Sequence, residues 1–165
     1  MSLSRRQLLA ALPAAIAAQS RRPPNILFIL ADDLGYTGVR CYGGRHARTP
    51  NLDKLAAEGA RFTQAYVQPQ CTPTRASLMT GQHTARNRMW HVIPYYDYPH
   101  MRLREPAYSE GLERGAPTLP STLRTAGYTT GIIGKWHLST NGDGNYEQLF
   151  PEAAGHYGFD WAAPR

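Results

Sequence analysis

Tyr128-Thr129-Thr130-Gly131-Ile132-Ile133-Gly134, followed by Lys135-Trp136-His137, reads as a short strand that runs out into polar chemistry. Just before it, Thr118-Leu119-Pro120-Ser121-Thr122-Leu123-Arg124-Thr125-Ala126-Gly127 has the marks of a short helix: a Thr cap, Pro in the first turn and a Gly stop. The same alternation occurs twice further upstream. Asn25-Ile26-Leu27-Phe28-Ile29-Leu30-Ala31 is a nearly continuous apolar run, as in a strand covered on both faces, and it ends in Asp32-Asp33. Thr49-Pro50-Asn51-Leu52-Asp53-Lys54-Leu55-Ala56-Ala57-Glu58-Gly59 is a capped helix with Leu52, Leu55 and Ala56 on one face. It leads to Arg61-Phe62-Thr63-Gln64-Ala65-Tyr66-Val67, a returning strand that ends just before Cys71. Three strands alternating with helices predict an α/β architecture with a mostly parallel sheet, and a site beyond the carboxyl ends of the strands.

The chain has 165 residues, enough for one ordinary domain, with 15 Gly and 13 Pro among a globular composition. Its net charge of +6 comes from scattered arginines, with no basic run interleaved with aromatics, so nucleic acid is not expected as a partner. Residues 1–20 read as a twin-arginine-type signal peptide: Arg5-Arg6, an apolar run to Ala18 and a small-residue cleavage site at Ala15-Ile16-Ala17. The run is too short for a transmembrane helix, so no stable membrane anchor is expected after cleavage. A periplasmic or secreted location follows as an expectation, with residues 24–165 as the folded part. Of the two cysteines, Cys41 reads as a packed or unpaired thiol rather than as a disulfide partner of Cys71.

Cys71-Thr72-Pro73-Thr74-Arg75 places a thiol at the mouth of a helix running to about Gly81. Thr72 reads as its N-cap and Pro73 as its first residue, with Leu78 and Met79 inward. Cys71 then lies at the positive end of the helix dipole, where an anion is held, and Arg75 can reach the same anion one turn in. Asp32 and Asp33 suggest a hard-cation site, since two carboxylates about 4 Å apart repel by roughly 4 kcal/mol in a moderately polar medium. In a strand, adjacent side chains point to opposite faces, so convergence requires the chain to leave the pleat, a freedom that Gly35 and Gly38 supply. Lys135 and His137, two apart on an extended backbone, fall on one side and suit two donors to one anion, with His137 also able to shuttle a proton. His83 suits a helix C-terminus, while His46, His91, His100 and His156 read as loop residues. The period-free segment 86–115, rich in Tyr, Pro, His and Arg, reads as a long surface loop facing substrate.

These motifs together resemble the N-terminal part of a type I sulfatase, a formylglycine-dependent member of the alkaline-phosphatase-like superfamily. The resemblance rests on Pro24-Asn25-Ile26 through Asp32-Asp33-Leu34-Gly35, on Thr49-Pro50-Asn51-Leu52-Asp53 with Leu55-Ala56 and Gly59, on Cys71-Thr72-Pro73-Thr74-Arg75 with Thr80-Gly81, and on Gly134-Lys135-Trp136-His137-Leu138. It implies an α/β/α sandwich around a mostly parallel sheet. It also implies that a maturation enzyme oxidises Cys71 to formylglycine, whose hydrate, activated by Ca²⁺, attacks the sulfur of a sulfate ester and later expels sulfate. Asp32, Asp33 and the modified residue 71 would ligate calcium, Arg75 and Lys135 would hold formylglycine and sulfate oxygens, and His137 would assist proton transfer. A related phosphonate or phosphate monoester hydrolase is the alternative activity, because some of those share the Cys-x-Pro-x-Arg motif.

The family is several times longer than this sequence, and calcium takes about six to eight oxygens. The expectation is therefore a partial domain, inactive alone, with later metal and sulfate ligands missing and an apolar sheet face left open. A non-catalytic remnant is the alternative. Trp90, Tyr95, Tyr96 and Tyr98, with arginines nearby, favour a sulfated carbohydrate as substrate over a small aryl sulfate.

Overall fold

The computed structural model describes residues 23–94, 100–103, 105–139, 142–145 and 147–163. The leader read over residues 1–20, and Tyr95, Tyr96 and Tyr98 of the aromatic loop, lie outside them. The chain divides into two units, Met1–Ala31 and Asp32–Arg165. In the first, residues 25–31 carry no strand, and Ile26 to Ile29 are exposed. The apolar run is present, but a strand exists only through its ladder of backbone hydrogen bonds, and none is formed there.

The second unit holds four described helices: α1 (Pro50–Glu58), α2 (Cys71–Thr80), α3 (Thr84–Asn87) and α4 (Leu119–Thr125). Its strands β1 (Gly131–Ile133) and β2 (Trp161–Ala163) pair in parallel, with Gly131 opposite Trp161 and Ile133 opposite Ala163. Parallel neighbours need a long crossover. Here it is residues 134–160, which include a 3₁₀ segment at Pro151–Tyr157 instead of an α-helix. The strand expected at 128–134 thus forms over three residues, and the one expected at 61–67 does not form: Phe62, Tyr66 and Val67 are exposed. No helix among the described residues is long and apolar enough to cross a membrane.

α1 has Pro50 first and the Gly59 N–H closing it on the Leu55 carbonyl at 2.9 Å, as predicted, but the Thr49 hydroxyl makes no cap bond and donates instead to Asp53 Oδ1 at 3.2 Å. Its apolar face is not buried, since Leu52 and Leu55 are exposed. α4 also has the predicted start. The Thr118 hydroxyl accepts from the Ser121 N–H (3.2 Å), and the Ser121 hydroxyl accepts from the Thr118 N–H (2.8 Å), a reciprocal capping box. Against it lies Gly158, with φ of 88° and a backbone so close that an added Cβ would sit 2.4 Å from the Ser121 nitrogen. Gly158→Ala is therefore expected to lower the melting temperature, from roughly 1–2 kcal/mol of left-handed strain plus the clash. Gly155→Ala, where nothing lies within 4 Å of the new methyl, is the control in the same thermal denaturation.

The core is built around Trp136. Its ring lies 5.0 Å from Tyr157 and 5.9 Å, edge-on, from Phe159, centroid to centroid. Ala153, Ala154, Leu138, Leu149, Ala76, Met89 and Leu112 complete the cluster. The last two, with buried Ile93, come from the segment expected to be a surface loop. That segment has no period, but single apolar residues at irregular spacing still reach a core. Below Trp136, buried Asp143 accepts two bonds from the Arg114 guanidinium and one from the Tyr157 hydroxyl at 2.9 Å. This fixes the base of the turn 143–150, where the Phe150 N–H bonds the Asp143 carbonyl at 2.9 Å.

Candidate functional site

Asp32 and Asp33 do converge, but not by the means the sequence suggested. Asp33 itself adopts φ of 55°, while Gly35 has φ of −71° and Gly38 is not left-handed. Aspartate tolerates the left-handed region better than most residues, so the metal-type turn is made by one of its own carboxylates. Carboxylate oxygens of Asp32 and Asp33 and the Cys71 sulfur all lie within 4.8 Å of one another.

Cys71 is the first residue of α2, two positions deeper than predicted, and Gln70 occupies the cap position. Thr72 is therefore not the cap. Its buried hydroxyl donates to the His137 carbonyl (3.1 Å) and accepts from the Ile93 N–H (3.4 Å). Met79 packs on the core from the far end of the helix. Both cysteines are free thiols.

Arg75, buried one turn in, uses its guanidinium twice: Nη1 donates to the Lys135 carbonyl (2.6 Å) and Nη2 to Asp32 Oδ1 (3.3 Å). Lys135 Nζ lies 2.7 Å from Asp32 Oδ2, 3.8 Å from Cys71 Sγ and 3.5 Å from Glu147 Oε1. Two cations thus face one carboxylate. The Lys135 ammonium, with Arg75 and the Cys71 thiol adding to it, holds Asp32 well below the usual carboxylate range, at about 2. Lys135, against the opposing effect of its burial, is pushed up by its bond to Asp32.

Burial pushes the Cys71 thiol up, and the neighbouring Asp32 adds to this against the pull of Lys135. A thiol at a helix N-terminus is ordinarily made more acidic. Here dehydration and the acidic neighbours raise its pKa, so the unmodified residue is a protonated thiol at neutral pH. Alkylation of Cys71 by iodoacetamide, followed by peptide mass spectrometry, is expected to be slower at pH 7 than that of a free thiol standard, with a midpoint above the ordinary thiol range.

His137 does not take the place predicted for it beside Lys135. Its φ of 58° ends the extended path, and its ring is buried with Nε2 donating to the Ile93 carbonyl at 2.7 Å. Burial pushes its pKa down, so the ring is neutral. Of the predicted residues, the structure brings together Asp32, Asp33, Cys71, Arg75 and Lys135, and His137 bonds to Ile93 instead. His83 caps the start of α3, accepting from the Ala85 N–H at 3.3 Å. Glu147, Thr72 and Ile93 were missed as participants. Only Thr72 carried a sequence signal, and that signal was read as a cap.

The donor set suits a hard cation: two carboxylates meet at a turn, partly neutralised by resident ammonium and guanidinium groups. The same cations suit an anion placed at residue 71. The sequence profile of the Sulfatase family matches residues 24–164. The chain belongs to the sulfatase family. The chain is 44% identical to arylsulfatase A of Homo sapiens over 142 residues, which cover 86% of the chain and 26% of that relative. It is 40% identical to the steryl-sulfatase of Rattus norvegicus over 157 residues, 93% of the chain and 26% of that relative. The solved structure of Ps i-CgsB superposes with a TM-score of 0.64 at 32% identity, over 87% of this chain and 28% of that one. The chain thus has part of the alkaline-phosphatase-like α/β fold and spans about a quarter of the length of these curated relatives.

Proposed function

We propose that the protein is a sulfuric ester hydrolase whose nucleophile is residue 71 after conversion of Cys71 to formylglycine by a maturation enzyme. The observation that carries the reading is the meeting of the Cys71 sulfur with the Asp32 and Asp33 carboxylates and the Lys135 ammonium at the start of α2. A half-buried, protonated thiol is a weak nucleophile, which favours chemistry by a converted residue over chemistry by the cysteine itself.

In this reading Asp32, Asp33 and converted residue 71 would hold a calcium ion. When bound, that ion supplies Lewis-acid polarisation and charge neutralisation at the reacting oxygens. The chain's own residues do the rest. Lys135, 3.8 Å from the residue 71 sulfur, binds an anionic oxygen there. Arg75 fixes the Lys135 peptide and the Asp32 carboxylate from the buried side. His137 holds its proton on Nε2 and keeps Nδ1 as an acceptor.

The substrate class we favour is a sulfated carbohydrate. An open cavity of about 870 Å³ is lined by Arg88, Trp90, His91 and Glu105. An indole to stack on a ring, held together with His91 by the Glu105 carboxylate, and a guanidinium for an anionic substituent suit such an alcohol. The segment is tied to residue 72 through Ile93. We also propose export: residues 1–20 act as a twin-arginine leader, giving a periplasmic or secreted protein, tested by N-terminal sequencing of the mature form.

The deciding experiment is mass spectrometry of the peptide spanning residue 71 from protein made in its native host. Aldehyde in place of thiol, trapped as an oxime, is expected. An unmodified cysteine would sink the mechanism.

A further inference from the structure

We propose that Thr72 is a positioning residue for His137, acting through the backbone of Ile93. Thr72 is fully buried in the first turn of α2, one residue after Cys71. Its hydroxyl donates to the His137 carbonyl (3.1 Å) and accepts the Ile93 N–H (3.4 Å), while the Ile93 carbonyl accepts from His137 Nε2 (2.7 Å). Three segments distant in sequence are thereby closed into one ring of hydrogen bonds.

Every bond in that ring has a fixed direction. A backbone carbonyl only accepts, so the proton of the neutral imidazole sits on Nε2. The one hydroxyl proton of Thr72 goes to the His137 carbonyl, which leaves the oxygen lone pairs to receive the Ile93 N–H. The backbone of Ile93 is pinned at its N–H by Thr72, and its carbonyl, in the next peptide unit, pins the imidazole. His137 Nδ1, buried and without a hydrogen-bond partner among the described residues, is left as the lone-pair nitrogen. Valine at position 72 keeps the shape and removes both bonds, freeing the backbone on either side of Ile93 to shift and the imidazole to exchange between tautomers. The use of a fixed Nδ1 acceptor rests on the sulfatase reading, but the tautomer itself does not.

The test is ¹⁵N NMR of the histidine rings in the unmodified 165-residue chain. His137 is expected to show the Nε2-protonated pattern. In Thr72→Val its two nitrogen shifts should move toward each other, and Thr72→Ser should restore the pattern. A protonated Nδ1 in the parent chain, or a Thr72→Val variant with the Nε2-protonated pattern intact, overturns the proposal. If Thr72→Val does not fold, the parent chain still decides: the Ile93 amide should exchange slowly with deuterium, and free exchange overturns the clip. Hydrolysis does not enter these readouts. Failure of the sulfatase reading would appear as an unmodified Cys71 in protein from its native host with the tautomer intact, and failure of this proposal as the wrong tautomer.

Discussion

Cys71→Ala in the protein expressed by its native host should abolish sulfate-ester hydrolysis, with kcat falling by a factor on the order of 10⁴ or more, the scale of removing a nucleophile. The structure predicts what survives. Lys135 keeps its bond to Asp32 at 2.7 Å, and Arg75 keeps its own to Asp32 and to the Lys135 carbonyl, because none of these passes through the sulfur. Affinity for the sulfate ester should therefore change little while turnover disappears. Release of alcohol from an aryl sulfate and from a sulfated monosaccharide, with binding followed separately, checks both halves. Residual turnover within tenfold of the parent would mean that residue 71 is not the attacking group.

Asp32→Asn and Lys135→Gln should move cation affinity in opposite directions. Asp32 is the hub of the site, shared by an ammonium, a guanidinium and the proposed calcium ion. Its loss removes a ligand and leaves two cations uncompensated, so calcium affinity should drop more than tenfold. Lys135 competes with the metal for the same carboxylate, so its neutralisation should raise affinity. Isothermal titration with calcium measures both, and equal behaviour of the two variants would rule out a shared carboxylate. The pH dependence follows from the depressed value of Asp32. Its contribution to folding is complete above the ordinary aspartate value of 3.8 and is lost only as pH falls through about 2. Protonation of Asp32 therefore does not limit cation binding at pH 5.

The parts legible in the sequence are those written in local chemistry. Thr118 and Gly127 bracket α4, Pro50 and Gly59 bracket α1, and the stretch ending at Gly134 delivers Lys135 as read. Asp32, Asp33, Cys71 and Arg75 were found by residue type and order, and they meet. What the sequence did not disclose depends on partners elsewhere in space. Residues 25–31 and 61–67 have strand composition, yet parallel strands are made by their neighbours, and β2 at Trp161-Ala162-Ala163 forms beside β1 with little strand pattern of its own. The side on which His137 falls was misjudged because spacing by two assumes an extended backbone, and φ of 58° breaks that assumption. Ile93 contributes only its peptide, a group every residue carries, so no residue type could have marked it.

Trp136 lies between Lys135 and His137 and is also the centre of the core. Rim and interior are therefore the same three residues of backbone. For engineering, this couples two properties usually tuned apart: repacking around Trp136 to raise thermal tolerance will displace the Lys135 ammonium and the His137 carbonyl. Changes in rate should then precede changes in melting temperature. Exposed Glu147, which meets Lys135 from a surface turn, offers a handle on the site that leaves the interior alone.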